Sequence, residues 1–304
     1  MLFIPEVLNH DYLHHAPDHI ERSYIKKEKI AMKTLQMNQE ADYGNWVPAA
    51  MMKTLWTATA VMAFVTVLLF VLIKSPVPGI IGAVVTLAAL CMTFYMQRCR
   101  KLFDFQGGGV MGEIHQFLTD HFPWNEAVGE NGAGRIIDIG CGAGALTNRI
   151  AKSYPSSEIN GVDYWGTEWS YAKEQCEKNA ALEGVVDRVI FQKGDAAKLD
   201  FVDGAFDGAV SNFVFHEVRS AKDKRDVVKE ALRVVRKGGA FAFQDMFGQK
   251  ALYGDMEGFT EELLKDGTVT EIHYIPNIEK QNFVPGFVTA PWMIKGAGLI
   301  YGIR

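Results

Sequence analysis

The sequence predicts an α/β fold, a doubly wound parallel sheet, with a pair of apolar helices ahead of it. Three observations carry this. Residues 135–146 (RIIDIGCGAGAL) run from β-branched apolar positions into a glycine turn and then a helical pattern, the signature of a buried strand, a tight turn and a helix start. Strand-like and helix-like segments then alternate as far as residue 244. Two long uncharged apolar runs precede all of this.

The chain has 304 residues, room for one large domain and a smaller element. Its net charge of −5 gives nucleic acid nothing to grip, so no nucleic-acid partner is expected. The four cysteines, Cys91, Cys99, Cys141 and Cys176, have no metal-ligand spacing and read as reduced thiols of a cytosolic compartment.

Residues 1–46 are polar and mixed. His10, Asp11, His14, His15, Asp18 and His19 crowd together, but no spacing fixes a ligand set. The stretch reads as solvated surface, and no metal site is expected. Lys26, Lys27, Lys29 and Lys33 follow, and Tyr43 and Trp46 then stand where aromatic residues favour a membrane–water interface. Residues 55–73 carry no charge, and at about 1.5 Å per residue they nearly cross a hydrocarbon core. Lys74-Ser75-Pro76-Val77-Pro78-Gly79 breaks the run, and residues 80–96 form a second one. A soluble core helix keeps a polar face, and these two have almost none. The expectation is a transmembrane hairpin at residues 47–100. Lys26, Lys27, Lys29, Lys33 and Lys53 lie before it, Arg98, Arg100 and Lys101 after it, and only Lys74 lies in the turn. That asymmetry places both long ends in the cytoplasm. Residues 101–304 then form a domain held close to the bilayer, beginning with a helix at 109–122.

The glycine turn sets the chemistry. Glycine lets the backbone pass close to a ligand, and a helix N-terminus offers free N–H groups to it. Gly140-Cys141-Gly142-Ala143-Gly144-Ala145 also satisfies a dinucleotide fingerprint. Residues 158–163 read as a second strand closed by Asp163, an acid able to accept from both ribose hydroxyls of a dinucleotide or of S-adenosylmethionine. Leu146, Ile150 and Ala151 stripe the first helix, and Trp169, Ala172, Cys176 and Ala180 the second. Strands follow at 188–193, before Gly194-Asp195-Ala196, and from Asp207 to Asn212. A helix beginning at Ser220, with Val228, Ala231, Leu232 and Val235 inside, runs to Lys237-Gly238-Gly239, and a fifth strand spans 240–244.

Taken together, Asp138-Ile139-Gly140-Cys141-Gly142-Ala143-Gly144, Asp163, Gly194-Asp195-Ala196, the stretch 207–212 and Val234-Val235-Arg236-Lys237-Gly238-Gly239 resemble the class I S-adenosylmethionine-dependent methyltransferases. The resemblance covers residues 109–304, and its flavour is that of the small-molecule enzymes of ubiquinone/menaquinone and sterol type. It implies a Rossmann-like seven-stranded sheet in the order 3-2-1-4-5-7-6 with strand 7 antiparallel; 268–275 and 299–303 supply strands 6 and 7. It implies S-adenosyl-L-methionine as cofactor. Asp138, Gly140, Gly142 and Gly144 turn around its methionine part, with Cys141 counted among them. Asp163 meets the ribose, with the adjoining Tyr164 also counted as cofactor-binding, Asp195 and Ala196 meet the adenine, and Asn212 stands beside the methyl group. Asp207 is assigned a structural role.

His216 and Glu217 follow at the mouth of that site. An acceptor hydroxyl must lose a proton, and His216 is the candidate to take it, oriented by Glu217 or another acid. The apolar stretch 283–294 reads as a flap that dips into the bilayer, covers an acceptor pocket or packs in the core. The function expected is a membrane-anchored methyltransferase acting on a small lipophilic acceptor. A nicotinamide oxidoreductase and a non-catalytic S-adenosylmethionine-binding membrane scaffold are the alternatives.

Overall fold

The computed structural model describes residues 40–105, 109–166, 173–290 and 292–304. The histidine cluster and the lysines before residue 34 lie outside the described residues, as do Trp169 and Ala172.

The two apolar runs form helices α1 (Ala49–Leu72) and α2 (Pro76–Leu102), each longer than the uncharged stretch at its centre. Ser75 caps α2, its hydroxyl accepting from the Val77 N–H, and Pro76 occupies the first turn, where a missing N–H costs nothing. The helices pack on each other through small and hydroxylated residues. Thr59 meets Thr93 at 3.0 Å and Thr66 meets Thr86 at 2.9 Å, while Gly79 lies under Phe70. Their outward faces are bare: Phe64, Val71, Leu72 and Val84 are all more than half exposed.

After α3 (Val110–His121) and the short α4 (Trp124–Val128), the described residues form a seven-stranded sheet in the order β3-β2-β1-β4-β5-β7-β6. The strands are β1 (Arg135–Ile139), β2 (Glu158–Asp163), β3 (Val189–Lys193), β4 (Phe206–Asn212), β5 (Val235–Asp245), β6 (Glu271–Ile275) and β7 (Gly298–Ile303). Pairing is parallel from β3 across to β5, and β7 runs antiparallel to both β5 and β6. The central strands read as continuous apolar runs because helices cover both faces. Ile136, Ile137, Ala209, Val210, Phe241 and Phe243 are all fully buried.

Helix α5 (Ala145–Ser153) buries Leu146, Ile150 and Ala151, and α6 (Lys173–Leu182) buries Cys176 and Ala180, on the faces their spacing predicts. Helix α7 (Lys224–Arg233) differs from expectation at both ends. It starts four residues after Ser220, where the Asp223 side chain caps it by accepting from the Arg225 N–H. It stops before Lys237-Gly238-Gly239 because β5 already begins at Val235, which pairs with Phe206 across an irregularity in register. The glycines there sit within a strand bulge and do not end the helix. Two further helices, α8 (Lys250–Tyr253) and α9 (Met256–Lys265), lie between β5 and β6.

Asp207 is structural, as expected. Its carboxylate accepts from Arg236 Nε at 2.6 Å and from the Arg135 N–H at 2.9 Å, tying the starts of β4, β5 and β1 together.

Candidate active site

In an open parallel sheet a ligand crevice forms where strand order reverses, outside the carboxyl ends of the strands. Here that point lies between β1 and β4, and the loops after them wall a cavity of about 590 Å³. Asp138, Gly140, Cys141, Gly142, Asp163, Tyr164, Asp195, Ala196, Asn212, His216 and Glu217 all line it, so the sequence-predicted residues converge on one place. Gly144 begins α5 directly behind them, with φ +84°. Gly140 has φ +77°, and a Cβ there would fall 2.1 Å from Val214 Cγ2, so only glycine fits the turn.

The acids are held in place by backbone. Asp163 Oδ2 accepts from the Gly142 N–H at 2.9 Å and Oδ1 from the Trp165 N–H at 2.8 Å, fixing the end of β2 to the glycine turn. Asp195 Oδ1 accepts from the Ala197 N–H and from Ser220 Oγ. Asp138 is buried, and its Oδ2 takes the Thr147 hydroxyl at 2.6 Å. Burial pushes its pKa up to about 7; the Thr147 bond opposes this and the Asp163 charge adds to it.

His216 and Glu217 lie in a 3₁₀ turn (Phe215–Glu217) after β4, and this bends both toward one region where an extended chain would have separated them. His216 Nδ1 lies 2.7 Å from Asp245 Oδ1, and Nε2 lies 3.3 Å from Glu217 Oε1. Burial works to lower the His216 pKa, but the Asp245 charge and hydrogen bond, together with Glu217, outweigh it and hold it at about 10. Asp245 also accepts from the Phe215 and Met246 N–H groups, so it is anchored by the backbone at the end of β5. The sequence reading stopped one residue short of it. The usable signal was an acid closing an apolar strand, the pattern that marks Asp163.

The other wall comes from ahead of the sheet. Tyr43, Asn45, Trp46, Phe105, Met111 and His115 line the same cavity, and none of them was a predicted site residue. His115 Nε2 lies 3.0 Å from Asn212 Nδ2. Burial, helped by the Arg149 charge, lowers its pKa to about 3, so it is a neutral acceptor for the Asn212 amide. No described residue of the flap lines the cavity. Val284, Val288, Met293 and Ile294 are buried, while Phe287 meets α2, its carbonyl accepting from Tyr95 Oη at 2.9 Å.

A family description, "Methyltransferase domain", matches residues 137–243, which is β1 through β5. That match decides between the nucleotides, since β6 and antiparallel β7 stand where a dinucleotide enzyme continues with a second mononucleotide half. Residues 137–243 match a methyltransferase domain, and the sheet around them has the seven-stranded order of the Rossmann-like methyltransferase fold. It is similar to the ubiquinone/menaquinone biosynthesis C-methyltransferase of Desulfotalea psychrophila, with 24% identity over 169 residues covering 50% of this chain and 64% of that one. It is 29% identical over 107 residues to the sterol 24-C-methyltransferase of Aspergillus fumigatus, covering 35% of this chain and 26% of that one. The matches thus span less than two thirds of either relative. A solved phosphoethanolamine N-methyltransferase 2 of Haemonchus contortus superposes with TM-score 0.46 at 15% identity, over 63% of this chain and 52% of that one.

This methyltransferase site fits the family's cofactor on its own chemistry. Four carboxyl groups, Asp138, Asp163, Asp195 and Glu217, outnumber the basic His216 and Arg219 in the lining, a balance that suits a cationic sulfonium. Carboxylates anchored at the ends of β2 and β3 suit ribose hydroxyls and an adenine amine. Asn212 Oδ1 is buried without a partner among the described residues, an acceptor left for a ligand donor.

Proposed function

We propose that this protein is a membrane-anchored S-adenosylmethionine-dependent methyltransferase whose acceptor is a small lipophilic molecule. The observation that carries the activity is the meeting of Asp163, Asp195 and Asn212 on one cavity at the switch point of the sheet. In this reading Asp138, Gly140, Cys141, Gly142 and Gly144 surround the methionine part, Asp163 and Tyr164 the ribose, and Asp195 and Ala196 the adenine.

When bound, S-adenosylmethionine supplies an activated methyl group on a sulfonium. The protein's contribution is alignment and exclusion of water. Asn212 and His115 position the acceptor at the end of β4. His216 takes the proton that an O–H acceptor gives up, with Asp245 fixing its ring. A cationic cofactor held beside it would disfavour the imidazolium by like charge and so favour the neutral ring that accepts the proton. Glu217, half exposed, turns to solvent to free Nε2.

The membrane part of the proposal is supported by α1 and α2. Both exceed the length of a span, and only 11% of the most apolar stretch of each is buried, unlike a soluble core helix. We take residues 47–100 as the anchor and residues 101–304 as a cytoplasmic catalytic domain. The acceptor class is supported by the anchor and by the similarity to quinone- and sterol-methylating relatives.

Titration calorimetry tests the cofactor: S-adenosylmethionine binds and NADH does not, and the reverse result overturns the reading. Labelled methyl transfer into membrane extracts then tests the chemistry. His216→Gln should leave cofactor affinity in place and lower kcat by roughly 10²–10⁴-fold. Unchanged turnover in that variant removes His216 from the mechanism. Reporter fusions near Ser75 and at Arg304 test the topology; a non-cytoplasmic signal at Arg304 overturns it.

A further inference from the structure

The two ends of the apolar hairpin do not leave the catalytic domain as loose tethers. They are clamped to each other and built into the cavity wall. Asn45 Nδ2 donates to the Arg100 carbonyl at 2.9 Å and to the Phe103 carbonyl at 2.7 Å, and the Arg100 guanidinium donates back to the Val47 carbonyl. Val47 and Phe103 are fully buried. The segment before the hairpin is fastened to the domain as well. Asp42 exchanges two backbone hydrogen bonds with the Asn179 side chain, whose amide also donates to the Ala143 carbonyl in the glycine turn. Tyr43 Oη donates to Glu183 and accepts from Asn148.

From this collar two rows of rings run toward the methyl end of the cavity. In the first, Trp46 stacks on Phe103 at 6.0 Å and meets the edge of Phe213 at 5.2 Å. Phe213 follows Asn212 and has φ +54°, a left-handed conformation that a bulky residue rarely adopts. Strain of this kind collects at functional sites, and here the strained residue presents its ring to Trp46. In the second row Tyr43 meets Phe105 at 6.0 Å, Phe105 meets His115 at 5.4 Å, and His115 reaches Asn212. Met111, 2% exposed, is the other apolar residue of this wall.

We propose that the hairpin ends are the acceptor-binding half of the active site: the acceptor's apolar body lies against Trp46, Phe105, Phe213 and Met111, with its reacting group at His115 and Asn212. This rests on the methyltransferase reading and extends it. The hairpin then both anchors the enzyme and completes its pocket. The ligand fitting this wall is a membrane-dissolved molecule with an apolar body and one hydrogen-bonding head group, which a long-chain phenol represents. A polar acceptor taken from water would meet rings where it needs polar partners.

The experiment uses the full-length protein in phosphatidylcholine vesicles. The probe is a 4-dodecylphenol carrying a diazirine in its chain. After illumination with S-adenosylhomocysteine present, adducts are mapped by mass spectrometry. Adducts are expected on Trp46, Phe105 and Met111, and excess unlabelled dodecylphenol should suppress them. Trp46→Ala should lower this labelling about tenfold or more while S-adenosylhomocysteine affinity changes by less than about twofold. Trp46→Phe should restore most of it. Adducts confined to lipid-facing residues such as Phe64 and Val71 overturn the assignment, and so does undiminished labelling in Trp46→Ala. If the wild type binds no S-adenosylhomocysteine yet labels on the collar, the methyltransferase reading fails and the collar pocket stands.

Discussion

The two walls of the cavity were made by different routes. The cofactor wall consists of turns that directly follow β1, β2, β3 and β4, so once the sheet order exists its residues arrive together. The collar wall is drawn from the flanks of the hairpin and from α3, separated from Asn212 by up to 169 residues and held by a few side-chain bonds and ring contacts. In the first wall topology does the positioning. In the second, packing does. The cofactor wall should therefore tolerate changes in the collar better than the reverse, and the two should be separable by mutation.

The largest expected effect lies on the cofactor side. Asp163→Ala removes the acceptor that holds both Gly142 and Trp165 and that would meet the ribose. Cofactor binding should weaken by about 2–3 kcal/mol, roughly a hundredfold. Calorimetry checks this, and wild-type affinity would show that the turn keeps its shape without the acid.

Asn179 joins the two walls, because one buried amide serves both Asp42 and Ala143. Asn179→Ala takes the side-chain partner from the Ala143 carbonyl and the Asp42 N–H, while the Asp42 carbonyl keeps Gln175 Nε2, and should cost about 1–3 kcal/mol of stability. Hydrogen exchange should rise both at residues 42–47 and in the glycine turn. Exchange rising in only one of them means that the walls are mechanically independent, which would sharpen the contrast between them.

A third test is a pH dependence confined to the cofactor wall. Asp138 has its pKa raised from 3.8 to about 7. A raised acid contributes stability below its unfolded value that is lost as pH rises through its folded one, here from about pH 4 to about pH 7. Asp138→Asn keeps an acceptor for Thr147 and removes that slope. Its apparent Tm should fall less than that of the wild type between about pH 5 and about pH 8. Parallel melting profiles would mean that Asp138 does not titrate in this window.

The contrast also explains what was legible beforehand. Asp163 and Asp195 could be placed by residue because each closes a strand or opens the turn after one. The five elements from residue 135 to residue 244 follow a period that needs no knowledge of the rest of the chain. His216 was visible as a residue at the end of β4. Its partner was not, because Asp245 reaches Nδ1 only when β4 and β5 pair and the 3₁₀ turn folds back. His115 gave no sign at all: on its helix it is one of two polar residues between Ile114 and Phe117, and its role exists only against Asn212.

The sequence by itself determined the α/β class, the apolar hairpin and the glycine-turn and acidic residues that meet on the cavity. Hydrophobic period, glycine punctuation and the acid at a strand end are local properties, and the handedness of βαβ connections turns them into one arrangement. The tertiary structure decided the bulge that shortens α7, the strained turn of Phe213 and the Asp245 anchor for His216. It also decided that Tyr43, Trp46 and Phe105 wall the cavity. Each of these depends on contacts between segments far apart in the chain, where many partners satisfy the same local pattern and only close packing of the whole selects one.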